Sequence, residues 1–179
     1  MLSAAALTVA TGVWVILPAY VPNSVAVLVG GGPPIDGGRT WRGERLLGDG
    51  KTWRGFLGGT LAGAALALVM NALQPTLAPA LPSFPPAAVV TLPLGAMLGD
   101  SAGSFLKRRS GRERGAPAPL LDQLGFVVVA LGLTLAVAPA WTLATFTLPV
   151  LAVVLLLTPL VHVLTNVGAY LLGLKEEPW

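Results

Sequence analysis

The charged residues of this 179-residue chain fall in three short stretches, and this distribution constrains the fold more than any other feature. Asp36 to Arg54 contains eight of them, Asp100 to Asp122 contains eight, and Lys175 to Glu177 contains three. Charged residues make up only 11% of the chain and hydrophobic ones 54%, whereas about a quarter of the residues of a soluble domain are charged. The pattern predicts an all-α integral membrane protein that forms one polytopic domain.

The apolar runs predict about five transmembrane helices, since the second, third and fourth are near the length of about 20 residues that crosses the hydrocarbon core and the other two are longer. They cover residues 3–29, 56–73, 86–106, 123–139 and 141–174. Pro18 and Pro22 predict a kink or break late in the first helix. As one helix the last run would be about 50 Å long, so we expect it to tilt or to kink near Thr158-Pro159. Two re-entrant halves are the alternative.

The basic residues predict the orientation. Five spans place residues 30–55, residues 107–122 and the C-terminus on one side of the membrane, and ten of the eleven Lys and Arg residues lie in those two loops. Because positively charged loops stay inside, we expect that side to be cytoplasmic and the N-terminus to lie outside. The first run lacks a basic beginning and is longer than the apolar part of a signal peptide, which favours a span.

The second and third spans each carry glycine at every fourth position. The two sets are Gly55, Gly59 and Gly63, and Gly95, Gly99 and Gly103. Small residues let helix backbones approach closely in lipid, so we expect these faces to pack on each other or on neighbouring spans. A groove for a lipid chain is the functional alternative.

Asp100 lies inside the end of an apolar span, where a carboxylate is costly unless it has a partner or a function. On a helix it shares a face with Lys107 and Arg108, so an internal ion pair is one interpretation. Asp122, just before the fourth span, could cap that helix or face Asp100. Two converging carboxylates suit Mg²⁺, which takes one or two carboxylates with substrate phosphates and water. With no cysteine and one histidine, any metal here is expected to be oxygen-liganded.

The first charged loop contains a basic residue followed by Thr-Trp-Arg-Gly twice, as Arg39-Thr-Trp-Arg-Gly43 and Lys51-Thr-Trp-Arg-Gly55. Glycine lets the backbone approach a phosphate, basic side chains supply charge, and tryptophan can stack on a base. The loop therefore suits a nucleoside triphosphate, although an interfacial anchor is the alternative. Basic residues beside carboxylates at a membrane border favour small anionic ligands or lipid headgroups over nucleic acid.

The second charged stretch divides into two parts. Arg109, Arg112 and Arg114 are explained by topology or by contact with anionic lipid. Lys107 and Arg108 continue the helical face of Asp100, where they could hold phosphates or a leaving pyrophosphate. The polar residues in or beside the apolar runs are most simply interhelical hydrogen-bonding residues; they are Asn23, Asn71, His162 and Asn166.

These motifs resemble those of a known family. Lys51-Thr-Trp-Arg-Gly-Phe-Leu-Gly-Gly59 is similar to the Lys-Thr-Trp-Glu-Gly-Phe-x-Gly-Gly stretch of bacterial phosphatidate cytidylyltransferases. Gly99-Asp100, Ser104-Phe-Leu-Lys107-Arg108 and Asp122 resemble their Gly-Asp, Ser-x-x-Lys-Arg and Asp signature. The small size and the Asp36-Gly-Gly-Arg39-Thr loop are closer to the archaeal relatives, the CDP-archaeol synthase family. The likeness covers residues 23–125 and departs before Asp122, where the bacterial signature has Pro-Gly-His-Gly-Gly.

The resemblance implies a cell-membrane cytidylyltransferase that converts CTP and a phosphorylated geranylgeranyl glycerol ether into a CDP-activated lipid and pyrophosphate. It implies Mg²⁺ as cofactor, held by Asp100 and Asp122, and phosphate contacts from the catalytic residues Lys51, Lys107 and Arg108. The residues expected to bind the nucleotide are Asn23, Asp36, Arg39, Thr40, Lys51, Thr52 and Trp53. The alternatives are a small transporter or channel for an anionic solute, or another lipid headgroup or acyl transferase.

Overall fold

The computed structural model describes residues 3–112 and 118–174, so Glu113, Arg114 and the last charged stretch lie outside the described residues. Its elements are α1 Ala4–Val29, β1 Thr40–Trp41, β2 Glu44–Arg45, α2 Trp53–Leu77, α3 Pro86–Arg109, α4 Leu121–Val137, α5 Pro139–Thr145 and α6 Leu148–Leu171. Four of these helices, α1, α2, α3 and α6, are long and apolar enough to cross a membrane, and the apolar α4 is shorter, with 17 residues. The predicted all-α membrane architecture is confirmed, while the number of spans and their orientation stay predictions.

The first helix runs through Pro18 and Pro22 without a break. Pro22 has no N–H to give to the Pro18 carbonyl four residues earlier, and a glycine of α2 lies against that oxygen. A Cβ added to Gly63 would be 2.5 Å from the Pro18 oxygen, and one added to Gly59 would be 2.5 Å from the Pro22 oxygen. Glycine Cα–H groups can therefore contact these carbonyls, which helps the helix to continue.

The two glycine faces pack on different neighbours. The face of α2 lies against α1, whereas in α3 a Cβ added to Gly95 would be 2.5 Å from the Ala130 Cα of α4. One added to Gly99 would be 2.6 Å from the Phe126 Cα. At Gly103 the nearest atom is 3.8 Å away, on the Leu121 side chain. The predicted packing is confirmed, and α3 and α4 run antiparallel with Asp100 and Asp122 in adjacent turns.

The last apolar run is divided at a different place from the one we predicted. The described chain has a short helix, α5, and then α6, and the break between them lies at Phe146-Thr147 instead of Thr158-Pro159. Pro149 lies in the first turn of α6, where its missing N–H costs nothing. Pro159 is inside α6, which continues through it, and the neighbouring Thr158 hydroxyl donates to the Val154 carbonyl. Pieces of 7 and 24 residues do not match two re-entrant halves either.

Buried hydroxyl pairs join the helices within an apolar core. Thr91 of α3 donates to the Thr134 oxygen of α4 at 2.9 Å, and the hydroxyls of Tyr20 and Thr158 join α1 to α6 at 2.7 Å. Fully buried apolar side chains surround these pairs, among them Val15, Ile16, Leu92, Val127 and Val154. Such bonds are typical of packed membrane helices. They fix the positions of α3 and α4, which carry the second charged stretch.

The connection between α2 and α3 lies at the end of the bundle away from the charges. Asn71 both donates to and accepts from the backbone of Phe84 at 2.7 Å, so it binds this connection and not a neighbouring helix. The indole N–H groups of Trp14 and Trp141 donate to the carbonyls of Pro82 and Ser83 at 2.9 Å. This end therefore has a structural role, because its polar side chains are used to satisfy loop backbone.

Candidate active site

The loop between α1 and α2 is closed at its base by backbone pairing. The Ile35 N–H donates to the Lys51 carbonyl at 2.8 Å, and the Trp53 N–H donates to the Pro33 carbonyl at 3.3 Å. The Thr52 side-chain oxygen accepts from the Gly55 N–H at 3.2 Å and caps α2. A capping threonine is stabilising at this position, and its hydroxyl can still donate to a ligand. Lys51 is therefore held at the junction of loop and helix.

Asp36 organises the interior of this loop. Its carboxylate accepts two bonds from Arg45, the shorter at 2.6 Å, and one each from the N–H groups of Gly38, Leu47 and Gly48 at 3.0–3.1 Å. The side chain is only 1% exposed. The Arg45 guanidinium, followed by the backbone N–H groups, holds the pKa of Asp36 well below its usual range. Because the folded pKa is lowered, the carboxylate stabilises the loop at neutral pH and loses this effect below a pH of about 4.

Arg109, at the end of α3, binds the hairpin of β1 and β2. Its guanidinium donates to the carbonyls of Trp41, Glu44 and Arg45 at 2.6–3.1 Å. It also lies 5.2 Å from the ring centre of Trp41 and 5.4 Å from that of Phe105, and the two rings are stacked. The predicted role of Arg109 in membrane topology or in contact with anionic lipid does not account for these bonds. The sequence carried no signal for them, because the acceptors are backbone carbonyls.

We expect Arg109→Lys to loosen the hairpin, because lysine keeps the charge but lacks the planar guanidinium group that reaches three carbonyls. Losing two exposed charge-assisted bonds costs roughly 1.5 kcal/mol or more, which raises the population of the open hairpin about tenfold or more. The measurement is the rate of tryptic cleavage after the exposed Arg42, followed by mass spectrometry. Arg39→Lys is the matched control and should leave that rate unchanged. Equal rates in the wild-type protein and Arg109→Lys would contradict the proposed role.

Two lysine–aspartate pairs link the loop, α3 and α4. The Lys51 Nζ lies 2.5 Å from an Asp100 carboxylate oxygen, and the Lys107 Nζ lies 2.8 Å from an Asp122 oxygen. Their side chains are 19–31% exposed, so the pairs are partly shielded from solvent. Asp100 thus pairs with a lysine 49 residues earlier in the chain and not with the basic residues of its own helix. The structure brings the two charged stretches together.

Asp122 does not cap α4, because the residue at the cap position is Leu120 and no side chain makes a capping bond there. Its second carboxylate oxygen accepts from the Ala118 N–H at 2.9 Å, and its own N–H donates to the Ala118 carbonyl. It therefore holds the turn that begins α4 and also reaches Lys107. Because Gly99 lies beside Phe126 and Gly103 beside Leu121, Asp122 lies within about one turn of Asp100 along the contact between α3 and α4.

Three buried polar atoms have no hydrogen-bond partner among the described residues: the Asn23 side-chain oxygen, the Arg108 Nε and the Arg109 Nε. Leaving such a group unpaired costs roughly 1–3 kcal/mol. Arg109 binds the hairpin through its other two nitrogens, and Arg108 donates to the Arg112 carbonyl at 2.8 Å. Asn23 follows Pro22, which lies against Gly59 of α2, so it lies deeper in the bundle than Lys51. The unpaired Arg108 Nε directly follows Lys107 in the chain and is suited to an anionic ligand.

The remaining predicted nucleotide residues lie around the loop. Arg39 borders an open groove of about 530 Å³ between the loop and Phe105 of α3, and Asp36 lies at its base. Thr40 is exposed in β1. Trp53 begins α2, half-exposed, and its ring packs edge-on to that of Phe56. Arg39 and Asp36 are therefore brought together, whereas Trp53 lies at the opposite edge of the loop.

The Asp100 and Asp122 carboxylates are suited to a metal ion that substrate phosphates also coordinate. No cluster of three or more Asp, Glu, His or Cys side chains occurs in residues 3–112 and 118–174. Mg²⁺ needs only one or two carboxylates when substrate phosphates and water complete its shell. A carboxylate has about four acceptor positions, so Asp100 and Asp122 can each keep a lysine and still bind a cation. A metal cage made of protein ligands alone does not fit these residues.

The chain was compared with known proteins. The family model described as CarS-like CDP-archaeol synthase matches residues 6–179. A CDP-archaeol synthase of Halobacterium salinarum is 63% identical over 176 residues, which are 96% of this chain and 97% of the relative. One from Halorubrum lacusprofundi is 62% identical, with the same coverage. A solved structure, described as an intramembrane enzyme for archaeal membrane lipids biosynthesis, is 42% identical with a TM-score of 0.63, covering 79% of this chain and 87% of its own.

Proposed function

Since this chain belongs to the CDP-archaeol synthase family, we propose that it transfers the cytidylyl group of CTP to a phosphorylated isoprenoid glycerol ether and releases pyrophosphate. The resemblance of its motifs is confirmed, and the chain is a membrane cytidylyltransferase for archaeal lipids. The observation that best supports the proposed site is the meeting of the Lys51–Asp100 and Lys107–Asp122 pairs at one end of an apolar bundle. There a polar nucleotide and a lipid phosphate can meet.

The reaction requires little acid–base catalysis from the protein. An oxygen of the lipid phosphate attacks the α-phosphorus of CTP, a new P–O bond forms, and the bond to the bridging oxygen of the β-phosphate breaks. The attacking phosphate is already anionic, so no general base is required. The protein must instead position two polyanions and neutralise the charge on the leaving pyrophosphate. A chain without cysteine and with one histidine is suited to that task.

We assign the phosphates to Lys51, Lys107 and Arg108. The Arg108 Nε is buried without a partner among the described residues, so a phosphate can supply the acceptor that it lacks. Each lysine ammonium is paired with a carboxylate and has further N–H donors for a phosphate. Asp100 and Asp122 would hold Mg²⁺, which neutralises phosphate charge and polarises the α-phosphate when it is bound. Pairing each carboxylate with one lysine lets anions and cation assemble without a net buried charge.

The nucleotide is assigned to the loop between α1 and α2. Arg39 borders the open groove, the Asn23 oxygen lacks a partner, and Thr52 retains a hydroxyl donor. Thr40 and Trp53 complete the set at the exposed edges of the loop, where Trp53 can stack on the base. Asp36 contributes by maintaining the shape of the loop, because its oxygens already accept five bonds. We place this end of the bundle on the cytoplasmic side, since it carries nearly all of the basic residues.

The test is an assay of the purified protein with CTP, Mg²⁺ and ether-linked or ester-linked lipid phosphate. We expect pyrophosphate and CDP-lipid to form in equal amounts, with no product when CTP or the lipid is omitted. The ratio of the two lipid activities then measures the preference for the ether linkage. A transporter or channel would instead move anionic solutes into liposomes without pyrophosphate formation. Absence of pyrophosphate with every lipid phosphate tested would refute the proposed function.

A further inference from the structure

Part of the repeated loop motif has no role in the proposed site. In the first copy of the motif, Trp41 and Arg42 follow the basic residue and the threonine that we assign to the nucleotide. Both side chains are exposed, that of Trp41 to 51%. The guanidinium of Arg42 lies 5.8 Å from the ring centre of Trp41, and it has no hydrogen bond or ion pair among the described residues. The two side chains are therefore accessible to a partner outside the chain.

Arg42 occupies a turn position that does not suit arginine. Trp41 pairs with Glu44 across β1 and β2, so Arg42 and Gly43 form the two-residue turn of the hairpin. Their φ angles are 55° and 85°. A two-residue turn with both φ angles positive is of type I′, which favours asparagine followed by glycine. An arginine strains the backbone here, and strain of this kind indicates a role for the side chain.

The hairpin lies at the border between hydrocarbon and headgroups. The Trp41 ring stacks on that of Phe105 in α3, with 6.1 Å between the ring centres. Directly after Phe105, α3 changes from the half-exposed Leu106 to three basic residues. Leu98 and Ala102 lie seven and three residues before Phe105, on the same face of α3, and both are exposed. Since exposed apolar residues of a membrane helix contact lipid, Trp41 lies at the height of the headgroups above these lipid chains.

We propose that Trp41 and Arg42 dock the hairpin onto the membrane surface, with the guanidinium bound to the phosphates of anionic phospholipids. Arginine donates paired hydrogen bonds to phosphate, and tryptophan prefers the interface between membrane and water. The exposed charges of residues 39–44 complement such a surface, because Arg39 and Arg42 outnumber Glu44. Arg109 holds the hairpin from α3 and the lipid holds it from the membrane. The partner is the surrounding lipid surface, so this contact requires neither CTP nor the lipid substrate.

Two substitutions separate the charge of Arg42 from its effect on the turn. Arg42→Asn removes the charge and supplies the residue that this turn favours, so the hairpin should remain folded. Arg42→Lys keeps the charge. Arg54→Gln is the matched control, because Arg54 has the same place in the second copy of the motif and is exposed in α2, outside the hairpin.

The experiment places each protein in nanodiscs of phosphatidylcholine alone or of an equal mixture with phosphatidylglycerol. The measurement is hydrogen–deuterium exchange of the hairpin amides, including the Leu46 N–H, which donates to the Arg39 carbonyl at 3.0 Å. In the wild-type protein, Arg42→Lys and Arg54→Gln we expect exchange to be about fivefold slower in the anionic nanodiscs, which is the effect of one basic residue at such a surface. High salt should abolish the difference. Arg42→Asn should show no difference.

A further sample tests whether a soluble anion replaces the lipid. Inorganic phosphate added to the neutral nanodiscs should leave the exchange of the wild-type protein unchanged. Slowing equal to that in the anionic nanodiscs would assign Arg42 to a soluble anion and overturn the proposal. Equal exchange of the wild-type protein in the two kinds of nanodisc would also overturn it, and so would an Arg42→Asn protein that anionic lipid slows as much as the wild type.

Discussion

Asp100→Asn should lower kcat/KM for CTP-dependent pyrophosphate release by roughly 100-fold or more, which is the cost of removing one group that stabilises charge in a transition state. The substitution keeps the size of the side chain and removes the charge that both Lys51 and a divalent cation require. Asp49→Asn is the matched control, because Asp49 is 68% exposed in the loop that carries Lys51 and, among the described residues, pairs with Arg45 alone. A surface pair of that kind contributes about 1 kcal/mol or less, so the control should stay within about fivefold of the wild-type protein.

A double variant separates a catalytic role of Asp100 from a purely structural one. If Asp100 only compensates the charge of Lys51, then Lys51→Met combined with Asp100→Asn removes both charges and should recover most of the lost activity. If both side chains act on the substrates, the double variant should be no more active than the weaker single variant. We expect the second result. Each protein is first checked for an unchanged thermal unfolding temperature, so that loss of the fold is not mistaken for loss of function.

Much of the architecture was predictable because membrane insertion imposes strong rules on sequence. A charged residue is too costly to place at random in hydrocarbon, so the spacing of the charges outlined the helices from α1 to α4 within a few residues. Glycine at every fourth position likewise predicted close helix packing, since little else brings helix backbones together in lipid. The partners of the two faces were not predictable, because nothing in a small residue specifies its neighbour.

The contacts within the site were less predictable than its location. The partner of Asp100 was not predicted, because it lies 49 residues away and their meeting depends on the backbone pairing that closes the loop. Asp36 was expected at the nucleotide from the family resemblance, yet its oxygens face the interior of that loop. The break at Phe146-Thr147 was missed because the prediction considered only Thr158-Pro159. Pro149 lies in the first turn of α6, a position that favours proline, so this helix can begin there.

Exchanging the two charges of the Lys107–Asp122 pair should distinguish a role in the reaction from a role in joining α3 to α4. Lys107→Asp alone should lower kcat/KM by roughly 100-fold or more, because it removes a phosphate contact and places two carboxylates together. The double variant Lys107→Asp/Asp122→Lys restores an ion pair between α3 and α4, so its thermal unfolding temperature should return towards that of the wild-type protein. Its activity should remain low, because a carboxylate then occupies the position proposed to bind phosphate and a lysine the position proposed to bind metal. Near-wild-type activity of the exchanged protein would show that the pair only joins the helices, and Arg108 would then be the remaining phosphate ligand on this face of α3.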